Sequence, residues 1–153
     1  MKLQKATRCA LFAVLELAGD PDRQLSATDI ADKYGISSNH LAKVLRDLGR
    51  AGLVESVRGA GGGYRFSGNA KRATLFDVIQ LFEDIGSECD IYNEPGAATE
   101  IGQALCTVML EIDSISQATL KSVTIDTLLK LSRWQQERQE SVGAGDSPAE
   151  AVV

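Results

Sequence analysis

The sequence predicts a mainly helical fold with one small β-hairpin, and three observations lead there. Apolar residues recur three or four apart through most of the first 50 positions, as amphipathic helices require. Two strand-like runs, 53–57 and 64–66, then flank a glycine loop, Arg58-Gly59-Ala60-Gly61-Gly62-Gly63, with Arg65 on its far side. Further on, Ile101, Leu105, Val108, Ile112 and Ile115 are spaced 4, 3, 4 and 3 residues apart, the seam of a helix that packs on another helix. Together they describe a winged helix-turn-helix followed by a long dimerisation helix.

The first helix spans 5–18, with Ala6, Ala10, Ala13 and Leu17 on one face, and Gly19-Asp20-Pro21-Asp22 ends it. Ser26-x-x-Asp29 has the form of a capping box, so a second helix runs to about Tyr34 before Gly35 turns the chain. A third begins near Ser38 and stops at Gly52. Its apolar positions Leu41, Val44, Leu45 and Leu48 face the core, which leaves Asn39, His40, Lys43 and Arg46 on the open side. The hairpin follows at once, and a helix next to a wing is the arrangement by which such folds meet DNA. Thr74-x-x-Asp77 opens another helix with Leu75, Val78, Ile79 and Phe82 on one face.

These elements divide the chain into a reading unit over 1–85, a polar segment over 86–99 and helices over 100–140. The long helix from Glu100 would extend ~35 Å and outreach a small domain. A shorter helix from Ile125 to about Arg138 caps it, with Trp134 anchoring one end, and 141–153 reads as a disordered tail.

Charge divides along the same line. Residues 1–75 hold 12 Lys and Arg against 7 Asp and Glu, a net +5, whereas 76–153 hold 4 against 14, a net −10. The basic half suits a polyanion and the acidic half is repelled by it, so the formal charge of −5 does not exclude DNA binding. No apolar run is long enough for a membrane span and no secretory signal opens the chain, so a cytoplasmic protein is expected. Three cysteines without a CxxC pair argue against a disulfide framework. Catalysis is disfavoured by the lack of a Gly-x-Ser-x-Gly elbow, an HExxH pair or a Walker loop, and by a single histidine. The glycine loop is no dinucleotide cradle either: counted from Gly59, the third glycine position of G-x-G-x-x-G is Tyr64, and a strand follows where a helix is needed.

The opening Met1-Lys2-Leu3, the pattern Leu41-x-x-x-Leu45-x-x-Leu48-x-x-x-Gly52-Leu53-Val54, the wing Arg58-Gly59-Ala60-Gly61-Gly62-Gly63-Tyr64 and the later Thr74-Leu75-x-Asp77-Val78-Ile79 resemble the Rrf-type bacterial winged-helix transcriptional regulators, the IscR/NsrR/RirA-like family. The resemblance implies a homodimer that binds double-stranded DNA at a pseudo-palindromic operator and acts as a repressor. The DNA-binding residues would be Ser38, Asn39, His40, Lys43 and Arg46 in the major groove, with Arg58, Gly61, Gly62 and Tyr64 at the wing.

It also implies an iron–sulfur cluster, because cluster-binding members carry three cysteines between the helix after the wing and the dimerisation helix. This chain has only Cys89 and Cys106 there, 16 residues intervening, with Asp90, Asn93, Glu94 and Glu100 as substitute ligands. The position that supplies an acidic ligand in some relatives is Arg8, and its neighbour Cys9 is an outside candidate. Three readings stay open: a cluster held by Cys89 and Cys106, a thiol sensor of redox or nitric-oxide status at Cys89, and a regulator or protein-interaction module without cofactor.

Overall fold

The protein was analysed as a computed structural model, which describes residues 2–85 and 93–143. The elements follow in the order α1 (Lys5–Gly19), α2 (Ala27–Tyr34), α3 (Ser38–Arg50), β1 (Val54–Val57), β2 (Gly63–Phe66), α4 (Leu75–Ile79), α5 (Glu100–Ser122) and α6 (Ile125–Gly143).

Local chemistry sets most boundaries. At α2 the Ser26 hydroxyl accepts from the Asp29 backbone N–H at 3.0 Å, and the Asp29 carboxylate accepts from the Ser26 N–H at 2.9 Å. Thr74 and Asp77 repeat this box at α4. The end of α3 is a Schellman motif: the Gly52 N–H donates to the Gly49 carbonyl at 3.0 Å and the Leu53 N–H to the Leu48 carbonyl at 3.0 Å. Gly52 takes φ 74°, which a glycine adopts without Cβ strain. Helix α1 has no such cap of its own. Glu83, beyond α4, supplies one, accepting from the Gln4 N–H at 2.6 Å and the Thr7 hydroxyl at 2.5 Å.

The core forms where α1, α2 and α3 meet the hairpin. Ala10, Ala13 and Val14 of α1 pack among Ile30 of α2, Leu41, Leu45 and Leu48 of α3, and Val54 of β1. The antiparallel hairpin pairs Val54 with Phe66 and Val57 with Gly63. A third strand-like contact ties it to the loop before α2, with Leu25 and Tyr64 exchanging backbone hydrogen bonds at 3.0 and 2.8 Å. The turn between α5 and α6 is bound to the same unit: Leu75 N–H donates to the Val123 carbonyl at 2.9 Å and Ile125 N–H to the Ala73 carbonyl at 2.9 Å. Ile125 is fully buried.

Helix α6 differs from expectation in its end and in the place of Trp134. Helix α6 runs to Gly143, past both the expected end near Arg138 and the expected start of a tail at Ser141. Trp134 does not anchor the helix to the core: it is 52% exposed, with Arg138 of the same helix 4.8 Å from its ring centroid, because α6 leaves the core after Leu129 and every residue from Leu131 to Ser141 is exposed. Phe82 lies beyond α4, which closes at Ile79. No helix among the described residues is long and apolar enough to cross a membrane.

Candidate nucleic-acid interface

Helix α3 buries Leu41, Val44, Leu45 and Leu48 and so turns its other side outward. Asn39, Lys43, Arg46 and Arg50, spaced 4, 3 and 4 residues apart, fall within an arc of ~60° on that side and are all exposed. Its first turn carries no acid, and Ser37 makes no side-chain cap. The helix therefore meets solvent at its start with unpaired N–H groups and no negative charge.

The hairpin supplies a second basic element. Arg58 begins a loop in which Gly59 and Gly61 take φ 112° and 74°, and the Gly62 N–H closes on the Gly59 carbonyl at 3.0 Å. Lys43, Arg46 and Arg58 have no ion-pair partner among the described residues. The acids nearest them in sequence are engaged. Asp47 meets Arg50 at 3.4 Å, and Glu55 pairs with Arg65 across the hairpin.

The structure brings Asn39, Lys43 and Arg46 together, with Ser38 exposed at the same end of the helix. His40 stands ~100° round from Asn39 and is half-buried, its Nε2 out of contact with solvent and without a hydrogen-bond partner among the described residues. Two wing glycines have internal duties. A Cβ on Gly62 would come within 2.4 Å of the Val57 carbonyl oxygen, and one on Gly63 within 2.5 Å of the Leu25 carbonyl oxygen. Tyr64 is half-buried beside that contact. Sequence reasoning did not single out Arg50, which shares this exposed face at a spacing of four from Arg46.

Of the three cysteines, two lie among the described residues. Cys89 lies outside the described residues. Cys106 is 2% exposed on α5 and is already engaged. Cys9 is a free thiol, 3% exposed in the α1 core, and burial pushes it above its ordinary value against the pull of Lys5 and Arg8. Among the described residues no three His, Cys, Asp or Glu side chains gather as a metal site.

The model of the Rrf2 family, described as iron-dependent transcriptional regulators, matches residues 3–131. A relative from Rhodopseudomonas palustris, named HTH-type transcriptional regulator BadM, is 57% identical over 140 residues, covering 92% of this chain and 88% of its own. Among solved structures, CymR, the global cysteine regulator of B. subtilis, superposes with a TM-score of 0.71 at 27% identity, over 86% of this chain and 98% of that one. IscR of T. potens superposes with a TM-score of 0.64 at 25% identity, over 86% and 88%.

Proposed function

The chain belongs to the Rrf2 family of transcriptional regulators, and from that premise we propose that it works as a homodimeric, sequence-specific DNA-binding repressor of the cytoplasm. The observation that carries this is the exposed cations of α3, of which Lys43 and Arg46 have no ion-pair partner among the described residues, followed in the chain by the likewise unpaired Arg58 of the wing, in a chain that keeps its acidic excess in the other half. Asn39 and Lys43 suit base edges of the major groove, Asn pairing with adenine and Lys donating to guanine or phosphate. Arg58 suits the narrow minor groove of A·T-rich DNA.

A second copy is the occupant of α5. Ile101 is 82% exposed, Val108 56% and Ile115 58%, so the apolar seam lies open along a 23-residue helix. Such a row is stable in water only when another surface covers it. Pairing two chains through α5 gives a two-fold assembly with two reading units. Its operator is then an imperfect palindrome with half-site centres about one turn apart, ~34–36 Å. A dimer seated on a promoter excludes other proteins from it, which makes repression the direct consequence.

Residues 1–85 read DNA, 100–140 carry the seam, and 86–99 join them as the sensing segment. An iron–sulfur cluster does not fit the donors available: iron–sulfur clusters draw mainly on four cysteine thiolates, and this region offers Cys89 and the buried, engaged Cys106. No step of the function is routed through a cluster.

Selection from a random duplex pool tests the reading. The parent should enrich an inverted repeat. Lys43→Ala should weaken binding to it by about tenfold, and Arg58→Ala should relax any A·T preference in the flanking minor groove. A pool from which no sequence is enriched would contradict it.

A further inference from the structure

Between α3 and the hairpin lies an open cleft of about 470 Å³, whose lining includes Ala42, Arg46, Gly49 and Arg50 from the helix, Ser56 from β1 and Tyr64 from β2. It stays open because Ala42 and Gly49, seven residues apart on one side of α3, carry little or no side chain. A Cβ on Gly49 would touch only the Val54 carbonyl oxygen, at 3.7 Å. Glycine is a far poorer helix former than alanine, so its place in α3 is not explained by helix formation.

The polar groups of the lining have capacity to spare. Arg46 has no ion-pair partner among the described residues, and Arg50 has only the 3.4 Å contact with Asp47. The hydroxyls of Ser56 and Tyr64 make no hydrogen bond among the described residues. Glu55, the one acid of the lining, is committed to Arg65 across the hairpin.

Duplex geometry says what passes through such a cleft. When a helix occupies a major groove and the adjoining wing a minor groove, the sugar–phosphate strand between the two grooves has to cross between helix and wing. We propose that this cleft is a phosphate seat for that strand, in which Arg46 and Arg50 hold one phosphodiester of duplex DNA and the Ser56 hydroxyl completes the contact. The proposal rests on the DNA-binding reading above. It assigns Arg46 to backbone positioning instead of base reading, and it adds Arg50 and Ser56 to the interface. Contacts of this kind fix register and depth of insertion without sensing sequence.

The test uses the full chain, a duplex enriched from the random pool and a scrambled duplex of the same length. Arg50→Ala should weaken both by a similar factor, about tenfold, and reduce the salt slope of binding by about one. Ser56→Ala should weaken both by a smaller common factor. Asn39→Ala, in contrast, should change the ratio between the two duplexes. Replacing single phosphates by uncharged methylphosphonates should then reveal one position, in the strand between the grooves, that weakens the parent and has little further effect on Arg50→Ala. The seat is overturned if Arg50→Ala binds both duplexes like the parent with the same salt slope. It is equally overturned if every methylphosphonate penalty is the same in parent and variant. A parent that binds neither duplex removes the DNA-binding reading itself, and the seat with it.

Discussion

Glu16 shows how a single side chain fastens the reading unit. Its carboxylate accepts from Lys33 Nζ at 2.7 Å and from the Tyr34 hydroxyl at 2.6 Å, joining α1 to α2, while the Tyr34 ring stacks on Phe12 with centroids 4.8 Å apart. Burial alone would raise the pKa of Glu16, but the hydrogen bonds from Lys33 and Tyr34 and the charge of Lys33 together hold it below its ordinary value. Burial, reinforced by Glu16, raises the pKa of Tyr34, so its phenol keeps the proton it donates. A carboxylate whose folded-state pKa is depressed contributes stability above its unfolded pKa, about 4.3, and loses it as pH falls through the folded value. Glu16→Gln should therefore cost about 1–2 kcal/mol near neutrality and almost nothing in strong acid, where the parent carboxyl is also neutral. Thermal melts from pH 7 down to about pH 2 check this; a penalty that stays constant with pH would contradict it. None of this was legible in the sequence, because Glu16 meets Lys33 and Tyr34 only after two helices have packed.

The hairpin makes the same distinction at the level of elements. Its strands, its arginines and its glycine loop could be read from the sequence because turn chemistry is local. The capping boxes at Ser26 and Thr74 and the stop at Gly52 were legible for the same reason. The reason for the glycines was not. Gly63 is needed because Leu25, 38 positions earlier, crosses against it, and Gly62 because the loop folds back on Val57. Nor could the sequence show that α6 would leave the core after Leu129 and carry Trp134 into solvent. Gly62→Ala should distort the loop that presents Arg58. The expected result is operator affinity reduced by about tenfold, with a loss of global stability below roughly 1–2 kcal/mol, since the core packs elsewhere. Binding and denaturant unfolding measured on one preparation separate the two; unchanged affinity would show that the loop's shape does not matter to DNA.

For the whole molecule, the decisive feature is the joint between the winged unit and α5. The backbone hydrogen bonds linking 73–75 to 123–125, with Lys121 Nζ 4.4 Å from the centroid of the Phe76 ring, fix α5 to the winged unit. In a pair of chains, the separation of the two α3 helices then follows from how α5 meets its copy. Gln117 also donates to the Ile85 carbonyl at 3.3 Å, and Glu83 caps α1, so the chain on the N-terminal side of 86–92 contacts both α5 and α1. The 4-3-4-3 seam was plain in the sequence because periodicity survives any context; the joint was not, because it is made mainly of backbone atoms and of side chains far apart in the chain. The central claim is that two copies present basic faces to duplex DNA and hold their acidic portions away. The most direct test is the salt dependence of affinity for the enriched duplex, titrated to its stoichiometric end point. The account predicts two chains per duplex and an affinity that falls steeply with salt, with a log–log slope of about −5 or steeper, as several phosphate contacts require. One chain per duplex, or an affinity indifferent to salt, would contradict it.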